Sequence, residues 1–264
     1  MNAHSIKKYA YLWMKLTANS FMTVLSSRFG AFLFLIGKTL RFVFFLIFLL
    51  TLFTQTQFLA SYSQAQMLFF FLTFNFIDTV TQLLFREVYR FRPMVVSGDF
   101  DLVLIKPISP LFRALVGGAD PLDLFMLIPY VGSLAYVAAG LGVSVEGLAL
   151  YLILLLNAFA IATGFHIFVL SLAILTTEID HTVMIYRDLT SMGRVPVDIY
   201  REPLRSIITF AVPVGVMMTF PAKALLGLLS PGFVVLGCAM GIGFFLTSLL
   251  MWRYSLSRYA SASS

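Results

Sequence analysis

The residues of this chain that could hold a metal ion or act as a nucleophile are few and scattered. The histidines are His4, His166 and His181, and they form no H-E-x-x-H pattern or other close ligand cluster. A zinc site needs several ligands at defined spacings, so the sequence argues against one. The serines include no G-x-S-x-G nucleophile elbow, which leaves intramembrane hydrolysis without support.

One tripeptide, Gly37-Lys38-Thr39, resembles the end of a phosphate-binding loop. The complete pattern requires a glycine five residues before Gly37, and this chain has Phe32 there. The tripeptide also lies inside an apolar run with no strand before it. Because no other segment matches the pattern, we expect neither an ATPase site nor a bound cofactor on this chain.

Three charged residues lie inside long apolar runs, namely Lys38, Arg41 and Asp78. Lys38 and Arg41 are three residues apart and therefore share a helix face. Two cations at the bilayer centre would cost about 5–7 kcal/mol, which cancels the roughly 3–7 kcal/mol gained by inserting residues 42–53. We expect both cations near the cytoplasmic boundary, where either could pair with Asp78, and we favour structural pairing over ion coupling.

Residues 92–112, which read RPMVVSGDFDLVLIKPISPLF, form the most informative polar segment. Gly98 interrupts its first part, the alternating Asp99 and Asp101 follow, and Pro107 and Pro110 define a turn. The segment is too polar to cross a bilayer. A short rigid helix that docks a cytoplasmic partner would use this arrangement, whereas an ordinary inner loop is the alternative.

The elements that must position these residues are membrane-spanning helices. The 264 residues are 60% hydrophobic and 11% charged, whereas soluble domains are about half apolar and a quarter charged. That length fits about six helices, since roughly 20 apolar residues cross a bilayer. A transmembrane β-barrel would instead show short alternating segments. The net charge of +6 is concentrated between apolar runs, so it indicates topology and not a nucleic-acid partner.

Hydropathy predicts five clear spans, at residues 31–53, 65–85, 115–141, 147–175 and 232–252. The remaining region has two interpretations. In the first, residues 178–205 form an inner loop and residues 207–229 form the fifth span. In the second, a polar fifth span occupies residues 179–196, and a proline-broken hairpin at 207–229 enters from the outer face, which is permitted where protein surrounds it. Both predict an all-α polytopic membrane protein with six transmembrane helices.

Residues 6–28 predict an amphipathic helix that lies in the membrane surface, although a solvated N-terminal arm is the alternative. The helical stripe consists of Ile6, Tyr9, Trp13, Leu16 and Ser20, and the nearby cations are Lys7, Lys8 and Lys15. Aromatic residues beside lysines are typical of helices at the headgroup level.

Lysine and arginine are concentrated in alternate connections. Residues 54–64, 142–146 and 230–231 contain neither, whereas the N-terminal arm, the loop after span two, the segment after span four and the C-terminal tail contain nearly all of them. By the positive-inside rule, both termini are cytoplasmic. We therefore treat residues 1–264 as one transmembrane domain, with residues 1–28 as an amphipathic elbow and residues 86–113 as a cytoplasmic loop.

Several motifs, taken in order, resemble those of one family. They are GDFDLVLIKPISPLF at 98–112, PVDIY at 196–200, PLR at 203–205, FAVPVGVMMTFP at 210–221 and ALLG at 224–227. Their order and spacing are similar to a branch of the type-2 ABC-exporter permeases, and the resemblance extends from the N-terminal elbow to the last helix.

This resemblance implies a dimer of permeases, identical or related, with separate ATPase subunits that bind ATP and magnesium. It implies that the ATPase contacts the loop after span two, with the elbow alongside. The implied coupling residues are Val95, Gly98, Asp99, Asp101, Lys106 and Pro107, and the implied elbow residues are Lys8, Trp13 and Lys15. It also favours an outer re-entrant hairpin around Pro213 and Pro221, in a protein of the bacterial inner membrane.

The leading interpretation is thus the permease subunit of an ATP-driven exporter. An ion-coupled secondary carrier is the alternative, and it would use Asp78, Asp120 or Asp123 as relays. An intramembrane enzyme is the third class, and it lacks any recognisable catalytic constellation.

Overall fold

The computed structural model describes residues 3–176 and 179–260. In chain order its helices are α1 (Ala3–Ser26), α2 (Arg28–Gln55), α3 (Gln64–Phe85), α4 (Phe91–Val96), α5 (Asp99–Leu104), α6 (Pro110–Leu115), α7 (Pro121–Gly140), α8 (Val145–Thr176), α9 (Ile179–Ser191), α10 (Leu204–Ser206), α11 (Val214–Met218), α12 (Phe220–Leu225) and α13 (Pro231–Ser257). Short 3₁₀ turns cover Arg86–Arg90, Met192–Arg194 and Val197–Ile199, and a π turn covers Ile207–Ala211.

Five helices of the described chain are long and apolar enough to cross a membrane: α2, α3 with its continuation to Val96, α7, α8 and α13. They correspond to the five clear spans expected from hydropathy, so the all-α polytopic membrane class is confirmed. The third span begins at Pro121 and not near residue 115. Asp120 caps α7 by accepting a hydrogen bond from the Leu122 amide at 2.8 Å, and Pro121 suits the first helical turn.

The two ends of the helix bundle differ in charge. We call one the basic end; it holds the connection 86–120 and the last turns of α13, where Trp252 packs against Phe91 and Phe100. The opposite end holds the turns at 56–63 and 141–144. There, Ser63 and Gln66 form a reciprocal capping box that starts α3.

The segment after α8 runs from the basic end to the opposite end. Near its start, the Tyr186 ring lies 4.8 Å from the ring of His166 in α8. At its far end, Asp198 accepts a hydrogen bond from the Tyr62 hydroxyl at 2.8 Å. This course matches the polar fifth span and contradicts an inner loop at 178–205. This segment is not among the five long apolar helices named above, because α9 has only 13 residues.

Residues 207–229, which we call the 207–229 hairpin, form no continuous helix. Val214 and Val216 are buried, and both belong to a core that includes residues of α8. The chain then returns to the opposite end, because an added Cβ at Gly147, near the start of α8, would lie 2.8 Å from the Leu225 carbonyl oxygen. Five apolar residues in α11 therefore pack against protein, which is how broken backbone is accommodated at membrane depth.

The cations of this region depart from the expected charge pattern. Arg201, Arg205 and Lys223 lie beyond Ile199 or on the 207–229 hairpin, toward the opposite end and not the basic one. Two of them are paired there: Arg205 with Glu202 at 2.7 Å, and Lys223 with Asp198 at 2.8 Å. The charges of Arg205 and Lys223 are thus largely neutralised within the protein.

Helix α8 is the centre of the packing, and α13 crosses it closely at a glycine. An added Cβ at Gly241 would lie 1.9 Å from the Asn157 side-chain oxygen. The Asn157 amide also donates to the Gly237 carbonyl at 2.9 Å. The small residues of the last span therefore serve packing within the chain.

Candidate functional site

Helices α4 and α5 form a compact hairpin at the basic end, and we call residues 91–107 the α4–α5 hairpin. Gly98 lies between the helices with a φ of 80°, a left-handed conformation that glycine adopts without strain. Phe91 and Phe100 are buried, with ring centroids 5.0 Å apart, and Phe100 lies 5.3 Å from the Tyr259 ring. The hairpin is therefore fixed to the end of α13 by aromatic packing.

The outer face of the α4–α5 hairpin carries exposed apolar side chains: Val96 is 58% exposed, Leu102 is 55% exposed and Ile105 is 79% exposed. Asp99 is also exposed, and the Ser97 hydroxyl donates to its carboxylate at 2.7 Å. Such a combination of apolar residues and a polar rim is typical of interaction surfaces.

The implied coupling residues do not all reach this face. Lys106 and Pro107 are exposed, but Val95 is only 7% exposed and belongs to the core beneath. Its place on the surface is taken by Val96. Asp101 faces the C-terminal segment, where burial and then the Asp101 carboxylate raise the pKa of Tyr259 to about 12.

Helix α1 packs against the connection that follows the α4–α5 hairpin. Lys8 donates a hydrogen bond to the Pro107 carbonyl, and the Tyr9 hydroxyl accepts one from the Ser109 amide at 3.0 Å. Further along, an added Cβ at Gly118 would lie 2.2 Å from the Leu16 carbonyl oxygen. The elbow thus lies beside the hairpin.

The other predicted elbow residues have different surroundings. The Trp13 indole nitrogen is buried and finds no hydrogen-bond partner among the described residues. Lys15 is exposed, with its ammonium 5.4 Å from the Tyr11 ring centroid. Ile6 is exposed, so it lies off the partly buried stripe to which the sequence assigned it.

Ion pairs at the basic end join three helices. Lys38 of α2 pairs with Asp123 of α7, and not with Asp78 as the sequence suggested as one option. Arg86, at the end of α3, pairs with Asp120 and lies 3.8 Å from Asp123. The cluster of acids at the start of α7 is the sequence signal for this site.

Asp78 has a different environment, which is dominated by arginines. It lies within electrostatic range of Arg41, Arg187 and Arg194, with Arg41 the strongest of the three. The Arg194 guanidinium also lies 5.9 Å from the ring centroid of Phe74 in α3. Sequence reasoning proposed Arg41 but missed the other two, because their segment had two interpretations.

All three predicted intramembrane charges line one cavity of about 800 Å³ between α2, α3, α7 and α9. Its polar lining is Lys38, Arg41, Asn75, Asp78, Thr79, Gln82, Arg86, Tyr89, Arg90, Asp123, Tyr130, Arg187, Thr190, Ser191 and Arg194. Seven phenylalanines, from α2 and α3, form most of the apolar wall. This volume is that of a typical small-molecule site.

The opposite end carries a smaller polar cluster that holds the 207–229 hairpin. Pro213 precedes α11 and Pro221 lies in the first turn of α12, and both are buried. Lys223, two residues later, pairs with Asp198. The Asp198 carboxylate also accepts a hydrogen bond from the Tyr62 hydroxyl. Burial alone would raise the pKa of Asp198, but the hydrogen bonds from Lys223 and Tyr62 hold it below its usual value.

The fold and these sites define a polytopic membrane protein with a central cavity and an exposed apolar surface at its basic end. A family model described as ABC-2 family transporter protein matches residues 39–263. The chain therefore belongs to the ABC-2 family of transporter proteins. Comparisons with curated proteins and with solved structures gave no match.

Family membership establishes the general role of the chain. It is the permease component of an ABC transporter, a membrane subunit that works with an ABC ATPase and is not itself the ATPase. The match begins at residue 39, so α1 and Lys38 lie outside it.

Proposed function

We propose that this permease belongs to an exporter and works as a pair with a second permease, identical or related. ATP and magnesium bind to the partner ATPase, whose conformational cycle moves the two permeases between inward-open and outward-open states. Both termini lie in the cytoplasm of a bacterial cell, and the surrounding lipid is its inner membrane. The predominance of Lys and Arg at the basic end supports this orientation.

The observation that carries the proposal is the exposed face of the α4–α5 hairpin. Val96, Leu102 and Ile105 present apolar surface to solvent on a hairpin whose other face is tightly packed. A docking element that transmits motion must be rigid, because a flexible one would absorb the displacement. The buried aromatic contacts with α13 supply this rigidity.

The contacts between the hairpin and the bundle would transmit a movement of the ATPase to the membrane helices. Phe91, Phe100 and Val103 share one core with residues of α8 and with Trp252 of α13. A force on the hairpin would therefore act on the two helices that pack most extensively in the protein. Helix α1 adds a second connection through the contact of Lys8 with Pro107.

The exposed surface of α2 supports the proposal that a second permease packs against this chain. Phe29, Phe44 and Phe48 on this helix are all more than half exposed in the single chain. Lipid and a second permease are both apolar enough to cover such a surface. Cysteine pairs introduced along this face would crosslink in the membrane if α2 contacts the second permease.

The decisive test compares Ile105→Asp with Phe58→Asp. Both residues are exposed apolar side chains in connections, but Phe58 lies at the opposite end. We expect Ile105→Asp to weaken copurification of the ATPase by at least about tenfold, whereas Phe58→Asp leaves it unchanged. The measurement is the ratio of ATPase to permease after purification of the tagged permease from membranes.

Equal copurification with both variants would remove the α4–α5 hairpin from the docking role. The alternative function, an ion-coupled secondary carrier, makes a different prediction. Such a carrier would take up substrate into liposomes along an ion gradient without any ATPase. Lys38 and Asp123 pair with each other within the chain, which supports a structural use of these two charges.

A further inference from the structure

The central cavity carries more positive charge than its own acids balance. Its described lining contains six cationic residues and two acidic ones, Asp78 and Asp123. Lys38 and Arg86 pair with acids of α7, and Arg90 lies 4.0 Å from Glu87. The remaining arginines, Arg41, Arg187 and Arg194, all lie within electrostatic range of the Asp78 carboxylate.

Part of this excess charge lies inside the bundle: Asp78 and Arg194 are half-buried, whereas Arg41 and Arg187 are exposed in the single chain. Asp78 precedes the end of α3 at Phe85 by seven residues, or about 10 Å at ~1.5 Å per residue. Arg194 is deeper, because its guanidinium lies 5.9 Å from the rings of both Phe45 and Phe74. Uncompensated cations at such depth are costly, and they usually mark the path of a substrate or ion.

The apolar part of the cavity adjoins this charge. Phe42 and Phe45 both stack on Phe71 where α2 meets α3, and Arg194 lies over the ring of Phe45. Phe44 and Phe48, which also line the cavity, are exposed on α2. The cavity thus offers a cationic site and a neighbouring aromatic wall that reaches the outside of the bundle.

We propose that this cavity binds an amphiphilic anion, with its acidic head at Arg41, Arg187 and Arg194 and its apolar chain along the phenylalanine wall. Guanidinium groups pair with carboxylate, phosphate or sulfonate oxygens through two parallel hydrogen bonds. Asp78 holds the arginines in place and competes with the ligand for them. This substrate class rests on the proposed transport function, since it names what that function would carry.

The test is an equilibrium titration of the purified permease–ATPase complex in phosphatidylcholine nanodiscs, without nucleotide. The probe is 11-(dansylamino)undecanoic acid, and its methyl ester is the matched uncharged control. We expect the acid to bind at least about tenfold more tightly than the ester, which corresponds to about 1.4 kcal/mol. Dansyl fluorescence reports binding.

Removing a positive charge and removing a negative charge should have opposite effects at a ligand site, whereas both would disturb a structural network. Arg194→Gln and Arg41→Gln are expected to weaken binding of the acid by about tenfold and to leave the ester unchanged. Asp78→Asn is expected to tighten binding of the acid, because it removes the competing carboxylate. Arg201→Gln, at an exposed position near the opposite end, serves as the control and changes neither. Only variants that elute from size-exclusion chromatography at the same volume as the wild-type complex, with the ATPase bound, are compared.

Two results would overturn the proposal: equal binding of acid and ester, or an Asp78→Asn variant that loses acid binding like Arg194→Gln. If one arginine variant fails to assemble, the other and Asp78→Asn still decide the matter. Nanodiscs with added phosphatidylglycerol identify the source of the anion. Displacement of the probe indicates a bilayer lipid, whereas unchanged binding indicates a soluble amphiphile.

The titration is independent of the transport function on which the substrate class rests. A complex that contains its ATPase but binds no anion would refute the cavity assignment alone. If no ATPase copurifies, the same titration is made on the permease alone, and acid binding there would refute the exporter role and leave the anion site standing.

Discussion

The chain builds a hairpin of short broken helices at each end of the bundle, and the two differ in what they bury. The α4–α5 hairpin buries Phe100 but exposes Val96 and Ile105. The 207–229 hairpin buries every residue of α11, and Pro221, in the first turn of α12, is buried as well. Both contain prolines and glycines between apolar residues, so similar local chemistry forms an exposed surface in one place and a packed core in the other.

The difference arises from the neighbours that each hairpin meets. The 207–229 hairpin enters the bundle and packs against α8, and Lys223 fixes it to Asp198. The α4–α5 hairpin rests on the bundle with only one side, against Trp252 and Tyr259. A surface that meets a partner must stay uncovered in the single chain, whereas broken backbone at membrane depth must be covered by protein.

The largest effect is expected from placing the same charge in both hairpins. Val216 is fully buried in α11, so Val216→Asp leaves an unpaired charge in the core and costs about 3–5 kcal/mol or more. Val96→Asp lies on the exposed face and is expected to keep the fold while weakening ATPase binding. Thermal stability in detergent and ATPase copurification measure the two outcomes. Equal loss of stability in both variants would contradict the contrast between the hairpins.

A smaller effect is expected at the contact that holds the 207–229 hairpin. Asp198→Asn removes the charge that pairs with Lys223, and at half burial we expect a loss of about 1 kcal/mol at pH 7. Since the folded-state pKa of Asp198 is lowered, its stabilisation is present above the unfolded value of 3.8 and disappears as pH falls through the folded value.

Stability of the wild type and of Asp198→Asn should therefore converge as the pH falls below about 4. Glu202→Gln is the control, because Glu202 pairs with Arg205 in an exposed position at the same end. A constant difference between wild type and Asp198→Asn across this pH range would show that the carboxylate charge does not hold the hairpin.

The smallest effect on stability is expected from Asp99→Arg on the α4–α5 hairpin. Asp99 is exposed and bonds only locally with Ser97, so stability should change by less than about 0.5 kcal/mol. Permease-dependent stimulation of the ATPase should nevertheless fall, because the charge of the docking face is reversed. If the variant stimulates the ATPase as strongly as the wild type does, Asp99 has no role in coupling, and only its apolar neighbours would contact the ATPase.

Much of the fold followed from patterns that are local in the chain. The five long spans lie within a few residues of their predicted bounds, except that Asp120 and Pro121 delay the start of α7. The motif at residues 98–112 led to the family that the comparison confirmed. The resemblance could not distinguish Val95, which is buried, from the exposed Val96, because one residue of helical phase separates the two positions.

The amino-acid sequence by itself determined that this is an all-α membrane protein with its basic connections concentrated at one end. It did so because transfer of apolar residues into lipid adds residue by residue and needs no tertiary contact. Only the tertiary structure decided that Lys38 pairs with Asp123, that residues 207–229 turn back into the core, and that Arg187 and Arg194 join Asp78. Those outcomes depend on which distant segments meet, because a polar group inside the bundle is stable only beside the partner that packing brings to it.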